Sequence, residues 1–241
     1  MLYSTRGIVL HTVKYSETSL IAKIYTETFG LQSYMVKGIR SKKSKIKTGL
    51  FQPLGLNDLV VYHKEKSSLQ TIKEIQSAFP YKSVPFDIKK SSVALFMDEL
   101  MYKSIHEEEK NQALFDFLWN SCILLDTITT PVAYFHLWFA AHFSAYLGFL
   151  PQMTFSKQNK WFNMHDGIFQ ESVPAHPEFM DESESRLFYD LLRMSPDVLG
   201  SLNFSRDTRN RVLDKILIFY VIHLPGFTEL RSHQVLHTIL E

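Results

Sequence analysis

The sequence predicts a two-part α+β protein: an N-terminal five-stranded β-barrel of the OB type over residues 1–80, then an all-α domain over residues 81–241. Three observations lead there. Apolar spacing changes near Pro80 from short β-rich runs to the i, i+3, i+4 rhythm of helices. Charge divides at the same place, with 12 Lys/Arg against 5 Asp/Glu in residues 1–80 (net +7) and a net −6 in the remainder. A length of 241 residues suits one large domain or two modest ones.

Residues 5–14, 19–26, 31–38, 54–63 and 68–75 are rich in Ile, Val, Leu, Tyr and Thr and are bounded by turn residues. Thr28-Phe29-Gly30 predicts a tight hairpin turn, with Gly30 free to take a positive φ. Five short strands in so few residues suit a small barrel, with an SH3-like barrel as the alternative to the OB type. Beyond Pro80, Val93, Phe96, Met97, Leu100, Met101 and Ile105 share one helical face, and Leu114, Phe115, Leu118, Cys122 and Leu125 share another. Thr130-Pro131 predicts the start of an apolar helix and Gly148 its end. Helices are also predicted over 181–194 and 206–223, with a short one from Ser232 that this serine caps. Residues 151–177 fit neither pattern and contain a predicted hairpin with Asp166-Gly167 as its turn.

Composition narrows the functional classes. Apolar residues at 45% and charged residues at 21% are globular values. The single cysteine, Cys122, allows no intramolecular disulfide and no zinc site built on several cysteines; an inert buried thiol is the expectation. The N-terminus lacks a signal-peptide pattern, and the apolar run 132–150 is interrupted by His136, His142 and Ser144, as in a core helix. A cytoplasmic protein from a reducing compartment is expected. Phosphate-loop, dinucleotide, nucleophile-elbow and His-Glu-x-x-His motifs are all missing, so no enzyme is predicted. His233 and His237 have i, i+4 spacing without an evident third ligand and read as a surface pair.

The sharpest feature is the segment 37–47, which holds Lys37, Arg40, Lys42, Lys43, Lys45 and Lys47 and no acid. A Ser- and Lys-rich loop between strands cannot be buried, so its charges face water or a polyanion. Tyr25, Tyr34 and Tyr62 on nearby strands either offer stacking surfaces for bases or belong to the barrel core.

Gly7-Ile-Val-Leu10, Tyr15-Ser-Glu17-Thr-Ser-Leu20, Tyr25-Thr26 with Phe29-Gly30, Lys37-Gly38-Ile-Arg40 and Pro53-Leu54 form a colinear series. It continues with Leu147-Gly148-Phe149-Leu-Pro151 and a hairpin from Trp161-Phe162 to Gly167-Ile-Phe169. Over nearly the whole chain this series resembles the bacterial recombination mediators of the RecO family. The resemblance implies an N-terminal OB-fold and a C-terminal helical domain. It also implies binding of single- and double-stranded DNA, annealing of complementary strands, and work with RecR to load RecA onto strands coated by single-stranded DNA-binding protein (SSB). Localisation would be cytoplasmic and nucleoid-associated, with no membrane partner and no cofactor. On this basis DNA contact is expected at Lys37, Arg40, Lys42, Lys43, Lys45 and Lys47, with Arg6, Lys14 and Lys23 on flanking strands.

Many members carry a four-cysteine zinc site in the region matching 151–177, where this chain has no cysteine. No metal is therefore expected there, with Phe155, Trp161, Phe162 and Phe169 holding the hairpin by apolar packing. Some members receive the acidic SSB tail on the helical domain; Arg206, Arg209, Arg211 and Lys215 are the candidates here, or else a solvated face paired with Asp207 and Asp214. The residues alone leave two other functions open: an OB-fold RNA-binding factor, and a non-catalytic protein–protein adaptor.

Overall fold

The computed structural model describes residues 1–39 and 47–240. Five strands, β1 (Leu2–Lys14), β2 (Leu20–Thr26), β3 (Gly30–Val36), β4 (Leu56–Tyr62) and β5 (Gln70–Phe79), pair in the order β1-β2-β3-β5-β4, and β4 returns to β1. All pairings are antiparallel except β3 with β5, where Tyr34 faces Gln70 and Met35 faces Thr71. This ring is the connectivity of the OB-fold, so the five predicted strands stand with their ends shifted by a few residues. β1 is long enough to serve two neighbours: its first half pairs with β4 and its second with β2, with a register shift between Val9 and His11. Inside lie Val9, Ala22, Ile24, Tyr34, Val36, Ile39, Leu59, Val61 and Ile72, closed over by Phe51 from the short helix Thr48–Phe51.

The boundary drawn at residue 80 follows the change of period, but packing groups the chain differently. One compact unit comprises Met1–Ser83 with Ile105–Asp126, and the other comprises Val84–Ser104 with the chain from Thr127 onward. The helix α1 (Ile88–Ser104) thus belongs to the second unit and α2 (Gln112–Thr127) to the first. Phe115 of α2 lies against Tyr25 of β2, ring centroids 6.1 Å apart. Asp126, at the end of α2, accepts the backbone N–H groups of Lys82 and Ser83 at 2.9 and 2.7 Å, which pins the chain leaving β5. Cys122 is buried, as expected of an inert thiol.

The second unit is helical, with α3 (Phe135–Tyr146), α4 (Glu182–Arg193), α5 (Arg206–His223) and α6 (Ser232–Ile239) joining α1. Phe135, Phe139 and Phe143 of α3 are fully buried, and Tyr220 of α5 donates its hydroxyl to the Ala140 carbonyl at 2.8 Å. Gly148 ends α3 at φ +93°, as its position predicted. Two predicted starts are corrected. Thr130-Pro131 opens a 3-10 turn, Val132–Tyr134, and the α-helix begins only at Phe135, because Pro131 has an extended ψ of 128°. Ser232 is not the cap of α6: the Glu99 carboxylate on α1 accepts from the N–H groups of Arg231 and Ser232 and from the Ser232 hydroxyl.

Between α3 and α4, β6 (Trp161–Asn163) and β7 (Ile168–Gln170) form the predicted hairpin, with Gly167 at φ +66°. A third strand that the sequence did not indicate, β8 (Phe179–Met180), pairs with β6. The expected aromatic residues do pack here: Phe162 lies 4.9 Å from Phe169 and 5.0 Å from Phe188, Phe155 lies 5.5 Å from Phe169, and Trp161 meets Phe179 at 5.7 Å. Among the described residues no helix is long and apolar enough to cross a membrane.

Gly30 shows how closely the first unit is fitted. It sits at φ +63°, and a Cβ added there would lie 2.4 Å from the Glu109 carbonyl oxygen, because residues 107–109 run against the start of β3 and Glu107 accepts from Leu31 N–H at 3.0 Å. Gly30→Ala is therefore expected to cost about 2–3 kcal/mol, from unfavourable φ and from displaced backbone. Urea unfolding of the variant checks this.

Candidate nucleic-acid interface

Strand register places three connections at one end of the barrel. The β1–β2 loop lies between Lys14 and Leu20, which pair, and Leu20 in turn pairs with Val36 at the exit of β3. Met35 pairs with Thr71, just after the β4–β5 loop, residues 63–69. This end therefore collects Lys14 and Tyr15, the exit of β3 with Lys37, and Lys64 and Lys66, all exposed. The buried Gln70 shapes the last of these loops: its Oε1 accepts Lys64 N–H at 2.9 Å, and its Nε2 donates to the carbonyls of Lys64 and Ser67 at 3.0 and 2.6 Å. In OB-folds the β1–β2 and β4–β5 loops and the β2–β3 face are the usual oligonucleotide surface.

Of the predicted DNA-contacting residues, Lys37 is exposed directly after β3 and Lys47 is exposed before the Thr48–Phe51 turn. Arg40, Lys42, Lys43 and Lys45 lie outside the described residues. Lys14 is exposed at the end of β1, and Lys23 is half-buried in mid-β2, opposite His11 and Ser33.

Arg6 has a different environment. Its guanidinium binds Glu27 through two bonds of 2.9 Å, approaches Asp116 at 3.6 Å, and sits over the rings of Trp119 and Phe115 at 4.9 and 5.2 Å. Its charge thus joins β1 and β2 to α2. The hydrogen bond from Arg6, helped by one from Gln112, outweighs partial burial and holds the Glu27 carboxyl down to about 2. The groove beside Arg6, lined by Glu27, Asp58, Lys73 and Glu74, has more acid than base and does not suit a phosphate chain.

The tyrosines divide. Tyr34, 0% exposed, lies in the barrel core, and Tyr25, 1% exposed, is covered by Phe115 of α2, so neither can stack on bases, whereas Tyr62, at 47%, stands at the edge of the β4–β5 loop. Sequence reading missed Lys64, Lys66 and Tyr15. The available signal was that both loops follow or precede strand ends carrying an aromatic residue, Tyr15 and Tyr62.

On α5 the four predicted cations also have distinct surroundings. Arg211 and Lys215 reach the buried Glu184 at 2.8 and 2.6 Å, and Arg211 also meets Asp207 at 3.0 Å. Arg206 donates to the carbonyl of His237, and Arg209 donates to that of Leu240 at 3.3 Å and lies over Tyr134. Burial would raise the Glu184 carboxyl, but hydrogen bonds from Lys215, the Asp181 N–H and Arg211 outweigh it, and the net shift is downward. The same carboxylate closes the capping box of α4 with Asp181. His136, fully buried in α3, is pushed down to about 3 by desolvation and stays neutral. His237 lies 3.4 Å from Asp214, so the predicted pair is half-buried rather than a free surface feature.

A basic-ended OB barrel joined to a helical unit with a small β-hairpin defines a class of two-unit folds with a nucleic-acid-type barrel. Comparisons with known proteins agree with this layout. The family model "Recombination protein O N terminal" matches residues 1–81, and "Recombination protein O C terminal" matches residues 85–232. The chain is 38% identical over 236 residues to the DNA repair protein RecO of Phocaeicola vulgatus, covering 98% of each chain. It is 37% identical over 242 residues to that of Bacteroides fragilis, covering 100% of each, and 30% identical over 247 residues to that of Porphyromonas gingivalis. The chain belongs to the RecO family of DNA repair and recombination proteins. The four-cysteine zinc set that the family resemblance implied does not fit, since the single cysteine is Cys122 on α2.

Two measurements probe these charges. Glu27 has a depressed folded pKa, so its contribution is complete above its ordinary value of 4.5 and disappears as pH falls toward about 2. The stability difference between wild type and Glu27→Gln should accordingly be largest near pH 7 and shrink between pH 4.5 and 2, as read by urea unfolding at several pH values. Glu184→Ala, which removes the reciprocal half of the capping box and the buried carboxylate that Arg211 and Lys215 share, should lower stability by about 2–3 kcal/mol at neutral pH.

Proposed function

We propose that this protein is a non-enzymatic DNA-binding recombination mediator. It binds single- and double-stranded DNA, anneals complementary strands, and with RecR helps load RecA onto SSB-coated single strands at the nucleoid. The observation that carries this reading is the gathering of exposed Lys14, Lys37, Lys64 and Lys66 with Tyr15 and Tyr62 at the loop end of an OB barrel, within a family of DNA repair proteins. Lys47 lies at the far border of the 37–47 segment, which also carries Arg40, Lys42, Lys43 and Lys45 in its sequence.

The chemistry is electrostatic. Lysines placed along loops neutralise phosphates and release counterions, and exposed rings stack on bases without reading sequence. Two strands held on one positive surface repel each other less, which favours pairing of complementary bases. No group transfer is required, so neither a nucleophile nor a general base enters. For an SSB tail the candidates on α5 are Arg206, Arg209, Arg211 and Lys215, of which Arg211 and Lys215 also pair with Glu184.

The test is fluorescence anisotropy with a labelled single-stranded oligonucleotide across a salt series, beside a variant with Lys42, Lys43, Lys45 and Lys47 changed to Ala. If all six basic residues of segment 37–47 meet phosphates, the log–log slope is about −4 on single strand and about −5 on duplex. The variant should flatten it by about 3. Absence of binding at low salt would overturn the proposal in favour of a protein–protein adaptor. Preference for a matched RNA competitor would make the barrel an RNA-binding module.

A further inference from the structure

The geometry points to a divalent metal site of the zinc class on the hairpin of the second unit, held by His165, His176 and Glu178. His165 stands in the β6–β7 turn, and His176 and Glu178 stand in the segment leading into β8. One donor atom from each falls within 4.8 Å of the others. Glu178 Oε2 is 3.4 Å from His165 Nε2 and 3.5 Å from His176 Nδ1. Donors on a tetrahedral zinc with arms of about 2.0–2.1 Å are roughly 3.3–3.4 Å apart, so both distances fit edges of that tetrahedron. The His165 contact is also a hydrogen bond to the carboxylate, longer than the roughly 2.7–2.9 Å typical of a charge-assisted one.

The hydrogen bonds of Asn163 decide which imidazole nitrogen is open. Asn163 Oδ1 accepts the backbone N–H groups of His165 and Asp166 at 3.0 and 3.2 Å, while its Nδ2 donates to Asp166 Oδ2 at 2.8 Å and Gln170 Oε1 at 3.1 Å. The amide orientation is therefore fixed by four contacts. His176 Nε2 lies 3.1 Å from the same Oδ1, an acceptor, and so must carry the proton. His176 Nδ1 is left as a buried atom with no hydrogen-bond partner, 3.5 Å from the Glu178 carboxylate. A cation seated between this nitrogen and the carboxylate oxygen would bond to both. An outer hydrogen bond that fixes the tautomer of a ligating histidine is a regular companion of metal sites.

Two imidazoles and a carboxylate form a nitrogen–oxygen set suited to Zn²⁺, with water as the fourth ligand. The bound ion would tie the hairpin turn to the lead-in of β8, a clip across the small sheet. This departs from the expectation of a metal-free hairpin and uses a donor set with no thiolate.

The test uses full-length, tag-free protein stripped with a chelator and titrated calorimetrically with Zn²⁺, alongside thermal unfolding with and without the ion. Wild type should bind one equivalent and melt at a higher temperature when loaded. Cobalt(II) should give the intense visible absorption of a tetrahedral site. His176→Ala and Glu178→Gln should each weaken binding more than tenfold, whereas the exposed His106→Ala should not. Failure of wild type to bind a stoichiometric ion would overturn the proposal, and so would binding that both ligand variants leave unchanged.

Discussion

A five-stranded barrel has to close, and its weakest seam is the parallel pairing of β3 with β5, limited to Tyr34 with Gln70 and Met35 with Thr71. Antiparallel neighbours can be joined by a turn, whereas a parallel pair demands a crossing connection. Here that crossing runs from the exit of β3 through the basic segment, the Phe51 turn and β4 before β5 can begin. The segment richest in lysine is thus part of the route that closure requires. Gln70 serves both needs at once, since its backbone is in the seam while its buried amide organises the loop bearing Lys64 and Lys66.

The fold also sorts charges that look alike in the sequence. Arg6 and Arg211 are as basic as any residue of the segment 37–47, yet each spends its guanidinium on a carboxylate of its own unit. A planar fork bound at two points and laid over Trp119 is poorly placed to exchange partners. Lysines on short loops remain exposed because a flexible ammonium gains little from a fixed surface partner. The surface available to a polyanion is consequently set by which cations have found internal acceptors, and the net charge of the first 80 residues overstates it.

Legibility followed the range of the contacts. Strand positions and the bounds of α5 could be read because alternation and helical spacing are local properties of the chain. The burial of Tyr25 and Tyr34 could not, because a tyrosine at a strand position is equally suited to either face until the barrel closes. The cap of α6 was assigned to the nearest serine, whereas the acceptor that does the work, Glu99, is 133 positions away from Ser232. Strand β8 is two residues long and exists only because β6 offers it an edge. Of the candidate interface, the cationic stretch was plain from composition. The contributions of Tyr15, Lys64 and Lys66 required strand register, which no local pattern encodes.

The chain passes between its two units three times, leaving the first after Ser83, returning at Ile105 and leaving again after Asp126. On the ribosome, the five strands emerge well before the helix that covers Tyr25 and supplies Asp116 to Arg6. The barrel must therefore wait, incompletely covered, while α1, a helix belonging to the other unit, is synthesised. Nascent chains in that interval expose apolar surface and depend on rapid arrival of the next segment or on chaperones. The two units are in this sense obligate siblings: a gene for either cannot be made by a single cut, and any exchange of halves between relatives must transplant two separated stretches together.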